Sequence, residues 1–290
     1  MTSNGTALIT GASSGLGAAY AERLAARGYD LLLVARRGDA MRERFPAAEV
    51  LEADLTRAGD LARVEARLRE DASITVLVNN AGVGLVAPFV DADPARLTSM
   101  IELNVTALTR LSHAFAARGA GTLINVGSIT PLALLQGMAA YNGTKAYVNV
   151  FTETLAAELP GLRIQAVLFG AVGTEMWDKS GLPLEHLDAE IVMPIDDAVD
   201  AALAGLDAGE LVTIPALPEV ADWEAHEATR LALTPNLSRR EPAARYQVTV
   251  RASGSMPSAA RPPSTGRTAP LTNEAAGESR CATTSATSEP

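Results

Sequence analysis

Residues 6–17 read Thr6-Ala7-Leu8-Ile9-Thr10-Gly11-Ala12-Ser13-Ser14-Gly15-Leu16-Gly17. The first five form a short apolar run suited to a buried strand, and the pattern from Gly15 to about Arg27 predicts a helix. Between them the glycines are spaced Gly-x-x-x-Gly-x-Gly. Glycine permits a tight turn and lets a ligand approach the backbone closely. The helix that follows presents free N–H groups and the positive end of its dipole, a favourable place for phosphate. An ordinary glycine turn would have a similar composition. The setting between a strand and a helix, at the head of a βαβ unit, favours the pyrophosphate of a dinucleotide. Gly11, Ser13, Ser14, Gly15, Leu16 and Gly17 are therefore candidate cofactor-binding residues.

Outward from this loop the signals alternate. Strands are expected over 31–35, 49–53, 74–79, 122–126, 164–169 and 211–214, and helices over about 58–70, 94–117 and from Tyr141 to just before Pro160. Continuous apolar strands alternating with helices imply an α/β fold: a Rossmann-like, doubly wound, mostly parallel sheet of seven strands, covered on both faces. Of 290 residues 48% are hydrophobic but only 4% aromatic, so the core is to be built from Ala, Leu and Val. One such domain is expected over residues 1–246. Residues 247–290 contain no Phe, Trp, Tyr or Ile and are rich in Ser, Thr, Ala, Pro and Gly. They bury too little to offset the entropy of ordering, and a disordered tail is expected there.

Net charge is −10, which disfavours nucleic acid as a partner. The one cysteine, Cys281, allows no internal disulfide, and His113, His186 and His226 lack ligand spacing, so no metal site is expected. No signal peptide is visible, and no apolar run approaches the ~20 residues of a membrane span. A cytoplasmic protein that does not engage a membrane is expected.

The glycine spacing resembles that of the short-chain dehydrogenase/reductase family. Further motifs extend the resemblance along residues 1–246: Asp54-Leu55-Thr56 after the third strand, Asn79-Asn80-Ala81-Gly82 after the fourth, then Asn104, Ser128, Tyr141 and Lys145 in order. The resemblance implies that Asp54 and Leu55 lie by the adenine of a nicotinamide dinucleotide and that Asn80, Ala81 and Gly82 border it. It further implies that Lys145 bonds the nicotinamide ribose and that Asn104 holds a water linked to Lys145. After the sixth strand, Phe169-Gly170-Ala171-Val172-Gly173-Thr174 departs from the family pattern, which carries Pro where Phe169 stands. Thr174, with Val172 beside it, matches the position that reaches the nicotinamide carboxamide.

The second strand ends Val34-Ala35-Arg36-Arg37. An acid after this strand would bind the ribose hydroxyls of NAD, whereas guanidinium forks suit a 2′-phosphate. Arg36 and Arg37 favour NADP. NAD remains possible if they are simply solvent-facing residues.

Tyr141 and Lys145, four residues apart, share one helix face. A neighbouring ammonium is expected to lower the phenol's pKa, so that Tyr141 acts as general acid or base. Ser128, just past the fifth strand, can donate to a substrate oxygen. Residues 175–194 read as a lid. Its Met176, Trp177, Leu182, Leu184, Leu187 and Ile191 suit an apolar substrate, packing of the lid, or an oligomer contact. The expected activity is NADP-dependent hydride transfer between a small-molecule carbonyl and an alcohol. The alternatives are an NAD-linked alcohol dehydrogenase and a non-catalytic NADP-sensing protein. A homodimer or homotetramer through the two long helices is expected.

Overall fold

The computed structural model describes residues 3–246. The tail expected over 247–290 lies outside the described residues. The chain divides into two units after Ser238. Of the second unit, residues 239–246 are described and carry a single 3-10 turn, Ala244–Tyr246.

In the first unit β1 (Thr6–Thr10) leads to α1 (Gly15–Ala26), β2 (Asp30–Ala35), α2 (Asp39–Arg44), β3 (Glu49–Glu52), α3 (Ala58–Glu70) and β4 (Ile74–Asn79). Then come α4 (Pro94–Ile101), a π turn (Glu102–Ala107), α5 (Leu108–Ala116), β5 (Gly121–Val126), α6 (Thr130–Ala133), α7 (Ala139–Glu158) and β6 (Leu162–Val167). The unit closes with α8 (Met176–Ser180), α9 (Ile195–Ala208), β7 (Val212–Thr213), α10 (Val220–Leu231) and α11 (Thr234–Leu237).

The seven strands form one sheet in the order β3-β2-β1-β4-β5-β6-β7, every pairing parallel. Side chains alternate across it, as strand geometry requires. Ala7, Ile9, Leu31, Leu33, Val76 and Val78 enter the core under α1 and α9, while Leu8, Leu32, Val34 and Leu77 enter the core under α3 and α5. Burial on both faces explains why these strands read as unbroken apolar runs. β1 turns outward to β2 and β4 turns the other way to β5. Their carboxyl ends therefore diverge and open the crevice where ligands bind in such sheets.

Three departures from the sequence reading stand out. The helix expected over 94–117 is interrupted at Glu102–Ala107 by the π turn, a distortion that apolar periodicity does not register. α2, α6, α8, α9, α10 and α11 were not foreseen. The sixth strand starts two residues earlier than expected and ends at Val167. For α9 the local signals were present: Pro194 before it, Asp196 and Asp197 in its first turn, Gly209 after it.

Candidate active site

The expected site residues gather at the carboxyl edge of the sheet, each delivered by the loop after a strand or by a helix packed on it. Gly11 has φ +67°, and a Cβ there would lie 2.9 Å from the Cα of Ala81. A Cβ on Gly17 would overlap the carbonyl of Gly11 and the amide of Asn80. Ser14 precedes α1 in extended conformation without capping it, which leaves the leading N–H groups to an anionic ligand. Leu16 packs on the core, so from this residue only the backbone faces the loop's ligand side.

Asn80 supports this loop from behind. Its side-chain amide donates to the carbonyls of Thr10 (2.8 Å) and Gly11 (3.3 Å). The Thr10 hydroxyl accepts from the N–H groups of Asn80 and Ala81, both at 3.0 Å, and donates to the Val78 carbonyl. Thr10 was not among the sequence candidates, because a hydroxyl inside an apolar strand carries no signal of its own.

Arg36 and Arg37 are exposed just beyond β2, and neither has a hydrogen bond or ion pair with another described residue. Asp54 follows β3. The Thr56 hydroxyl and N–H hold its carboxyl below the ordinary value, with a smaller contribution from the charge of Arg36. The Leu55 side chain is buried in the core, so only its backbone is open to a ligand. Thr174 abuts the glycine loop: its Cγ2 stands 3.3 Å from where a Gly15 Cβ would be. The Val172 side chain is buried, and its carbonyl accepts from the Trp177 indole (2.9 Å).

Asn104, Ser128, Tyr141 and Lys145 are all buried. The π turn aims Asn104 at two neighbours. Its Oδ1 accepts from Val83 N (3.0 Å), while its Nδ2 donates to Val83 O (2.9 Å) and to the Thr144 hydroxyl (3.1 Å). A Cβ on Gly82 would lie 3.3 Å from Asn104 Oδ1 and 3.8 Å from Lys145 Nζ, so both side chains converge on that loop. Ser128 accepts from Thr130 N (3.2 Å), and its hydroxyl lies 3.4 Å from the Phe169 carbonyl. Phe169, the departure from the family pattern, is itself buried in the core.

One expectation is corrected. The Tyr141 hydroxyl is not lowered by Lys145: burial pushes it up to about 12, and the nearby Ser128 opposes that. Lys145 donates instead to the Val126 carbonyl (2.8 Å), with Nζ 5.9 Å from the Tyr141 ring centre, and burial lowers it to about 8. Desolvation governs both groups.

The segment expected as a lid is fastened at its base, where Val172 and Met193 form a bridge, and within its length, where the Val86 N–H donates to the Ser180 carbonyl (2.8 Å). Trp177, offered as a substrate contact, is buried and anchored on Val172. The glycine loop, Asn80, Thr174 and the buried Ser128, Tyr141 and Lys145 thus gather at the carboxyl edge of the sheet.

The family model for short chain dehydrogenase matches residues 5–183. A solved structure, a short-chain dehydrogenase from Sphingobium yanoikuyae in complex with NADPH, is 45% identical, covers 84% of this chain and all of its own, and has a TM-score of 0.80. The bulky-bulky ketone specific alcohol dehydrogenase from Comamonas testosteroni is 42% identical, with 85% and 100% covered and a TM-score of 0.76. The diacetyl reductase [(S)-acetoin forming] of Staphylococcus epidermidis is 30% identical over 68% of this chain and 81% of its own length.

Proposed function

The chain belongs to the short-chain dehydrogenase family, and from that premise we propose that it reduces bulky apolar ketones with NADPH, Tyr141 delivering the proton. As a family member it is an NAD(P)-dependent oxidoreductase of alcohols and ketones. The observation that carries the finer reading is the burial of Ser128, Tyr141 and Lys145 together at the carboxyl edge of the sheet, where Ser128 stands near enough to favour the Tyr141 phenolate.

The residues divide the work. The head of α1 with Gly11, Ser13, Ser14, Gly15, Leu16 and Gly17 holds the pyrophosphate. Arg36 and Arg37, exposed beside the crevice, take the 2′-phosphate. Asp54 and the Leu55 backbone flank the adenine, and Ala81 and Gly82 form the wall that Asn80 supports. Lys145 engages the ribose, and Thr174, with Val172 behind it, faces the carboxamide. When bound, NADPH supplies the hydride that reaches the carbonyl carbon. Ser128 donates a hydrogen bond to the carbonyl oxygen, where negative charge develops. Tyr141 gives that oxygen its proton, and in the reverse direction takes it back. A phenol that burial keeps protonated suits the reductive direction.

The substrate class rests on exposed apolar side chains carried by the loops at this same edge: Phe89 and Val90 after β4, Leu134 after β5 and Ile191 after β6. They would be covered by a large apolar substrate, and the similarity to the ketone-specific Comamonas enzyme points the same way. The outer faces of α4 and α7 expose Ile101, Tyr147 and Val150 and offer the surface for a homo-oligomer.

Oxidation of NADPH with aryl and branched-alkyl ketones tests the reading. Turnover should favour NADPH over NADH. Arg36→Ala should weaken NADPH roughly ten- to a hundredfold, the size of one charge-assisted bond, and leave NADH unchanged. Equal use of both cofactors, indifferent to Arg36, would overturn the NADP assignment.

A further inference from the structure

We infer that Asn149 is a positioning residue: its amide ties Ser128 to the helix that carries Tyr141. This rests on the roles proposed above for Ser128 and Tyr141. Tyr141, Lys145 and Asn149 are spaced four residues apart and share the inner face of α7. Lys145 Nζ donates to the Val126 carbonyl (2.8 Å) and Asn149 Nδ2 donates to the Ser128 carbonyl (3.0 Å). Two side chains one helical turn apart thus hold alternate carbonyls where β5 ends. From the other side, the N–H groups of Gly127 and Ile129 donate to Val167 (2.8 Å) and Phe169 (3.1 Å). The loop bearing Ser128 is therefore fastened to β6 on one flank and to α7 by Asn149 on the other.

Asn149 is 6% exposed, and its Oδ1 is buried without a donor among the described residues. A buried acceptor left unmet destabilises a fold, so packing alone would favour a leucine here. The bond to Ser128 accounts for the amide. Gly127 makes room for it, since a Cβ at that residue would overlap Asn149 Oδ1. Two residues outside the Ser–Tyr–Lys cluster are thereby shaped around one contact. That contact sets where the Ser128 hydroxyl stands relative to Tyr141, and Ser128 opposes the rise in the Tyr141 pKa.

The test compares Asn149→Leu, Asn149→Asp, Gly127→Ala and Ser128→Ala with wild type. It measures kcat and KM for a ketone that wild type reduces, NADPH affinity by fluorescence, melting temperature, and the pH profile of alcohol oxidation. Asn149→Leu and Asn149→Asp should lower kcat about tenfold to a hundredfold, the penalty of a misplaced reacting group, with NADPH affinity retained. For both, the apparent pKa in the oxidation profile should rise, because Ser128 no longer steadies the phenolate. Gly127→Ala should do the same with Asn149 still in place. Unchanged kcat in the Asn149 variants, or a fall that merely follows lost NADPH binding and a lowered melting temperature, overturns the proposal. If Asn149→Leu does not fold, Asn149→Asp and Gly127→Ala decide by the same readouts. If Ser128→Ala keeps full kcat, the catalytic reading of Ser128 has failed. If it loses kcat while the Asn149 variants do not, only the positioning role has.

Discussion

A phenol and an ammonium four residues apart on a helix suggest a pair that sharpens each other's charge. Here each is instead governed by burial: Tyr141 is held up to about 12 and Lys145 down to about 8. Lys145 has a consequence for stability. The unfolded chain keeps that proton to about pH 10.4, while the folded chain releases it near 8. Between those values the unfolded state binds more protons, so stability rises with pH across the window. Below it, the buried ammonium costs roughly 3 kcal/mol. Urea unfolding of wild type and Lys145→Met should therefore show wild type gaining on the variant from about pH 8 to 10, by up to roughly 3 kcal/mol. Parallel pH curves for the two proteins would refute this. The proposed reaction uses the same group, so reductive kcat/KM of the free enzyme should decline above about pH 8 as Lys145 loses its charge.

Among elements, the loop between β1 and α1 and the turn inside the α4–α5 helix show two degrees of legibility. The loop was readable because glycine spacing reports a steric demand directly. Gly17 faces the Gly11 carbonyl and the Asn80 amide, and no side chain fits between them. Gly17→Ala should thus displace the loop, lower stability by about 1–3 kcal/mol and weaken NADPH binding together, as followed by thermal melting and fluorescence titration. A variant that binds NADPH like wild type would show the close packing to be dispensable. The turn at Glu102–Ala107 was not readable. Asn104 could be picked out as a polar residue in an apolar run, but its aim at Val83 and Thr144 follows from an added residue in the helical turn, enforced by partners remote in sequence. Thr10 and Asn149 were missed for the same reason: each acts through a carbonyl or amide that only folding brings near.

At the scale of the molecule, two ion-paired links join α1 to α9. Arg23 reaches Asp196 (2.9 Å) and Asp200 (2.9 Å), and Arg27 reaches Asp207 (2.8 Å). These pairs are largely solvent-exposed and contribute at most about 1 kcal/mol each; the faces they border are held by the apolar core beneath. The exposed apolar surface of α7 is a different matter. Val150 is 64% exposed beside Tyr147, which stacks on Phe151 with ring centres 5.4 Å apart. If this face joins copies of the chain, light scattering will report an oligomer for wild type and a monomer for Val150→Glu, in which a charge would be buried unpaired. A wild-type monomer would assign the face to solvent.

Local physics wrote the α/β alternation, the glycine loop, and Ser128, Tyr141 and Lys145 into the chain, because strand burial, glycine sterics and helical spacing each act over a few neighbouring residues. What tertiary structure decided lies between distant residues: the strand order that opens the crevice, the amides of Asn80 and Asn149 turned onto backbone carbonyls, and the pKa values of Tyr141 and Lys145. Those depend on how much water a packed interior excludes, and no stretch of sequence specifies that until the chain has closed around it.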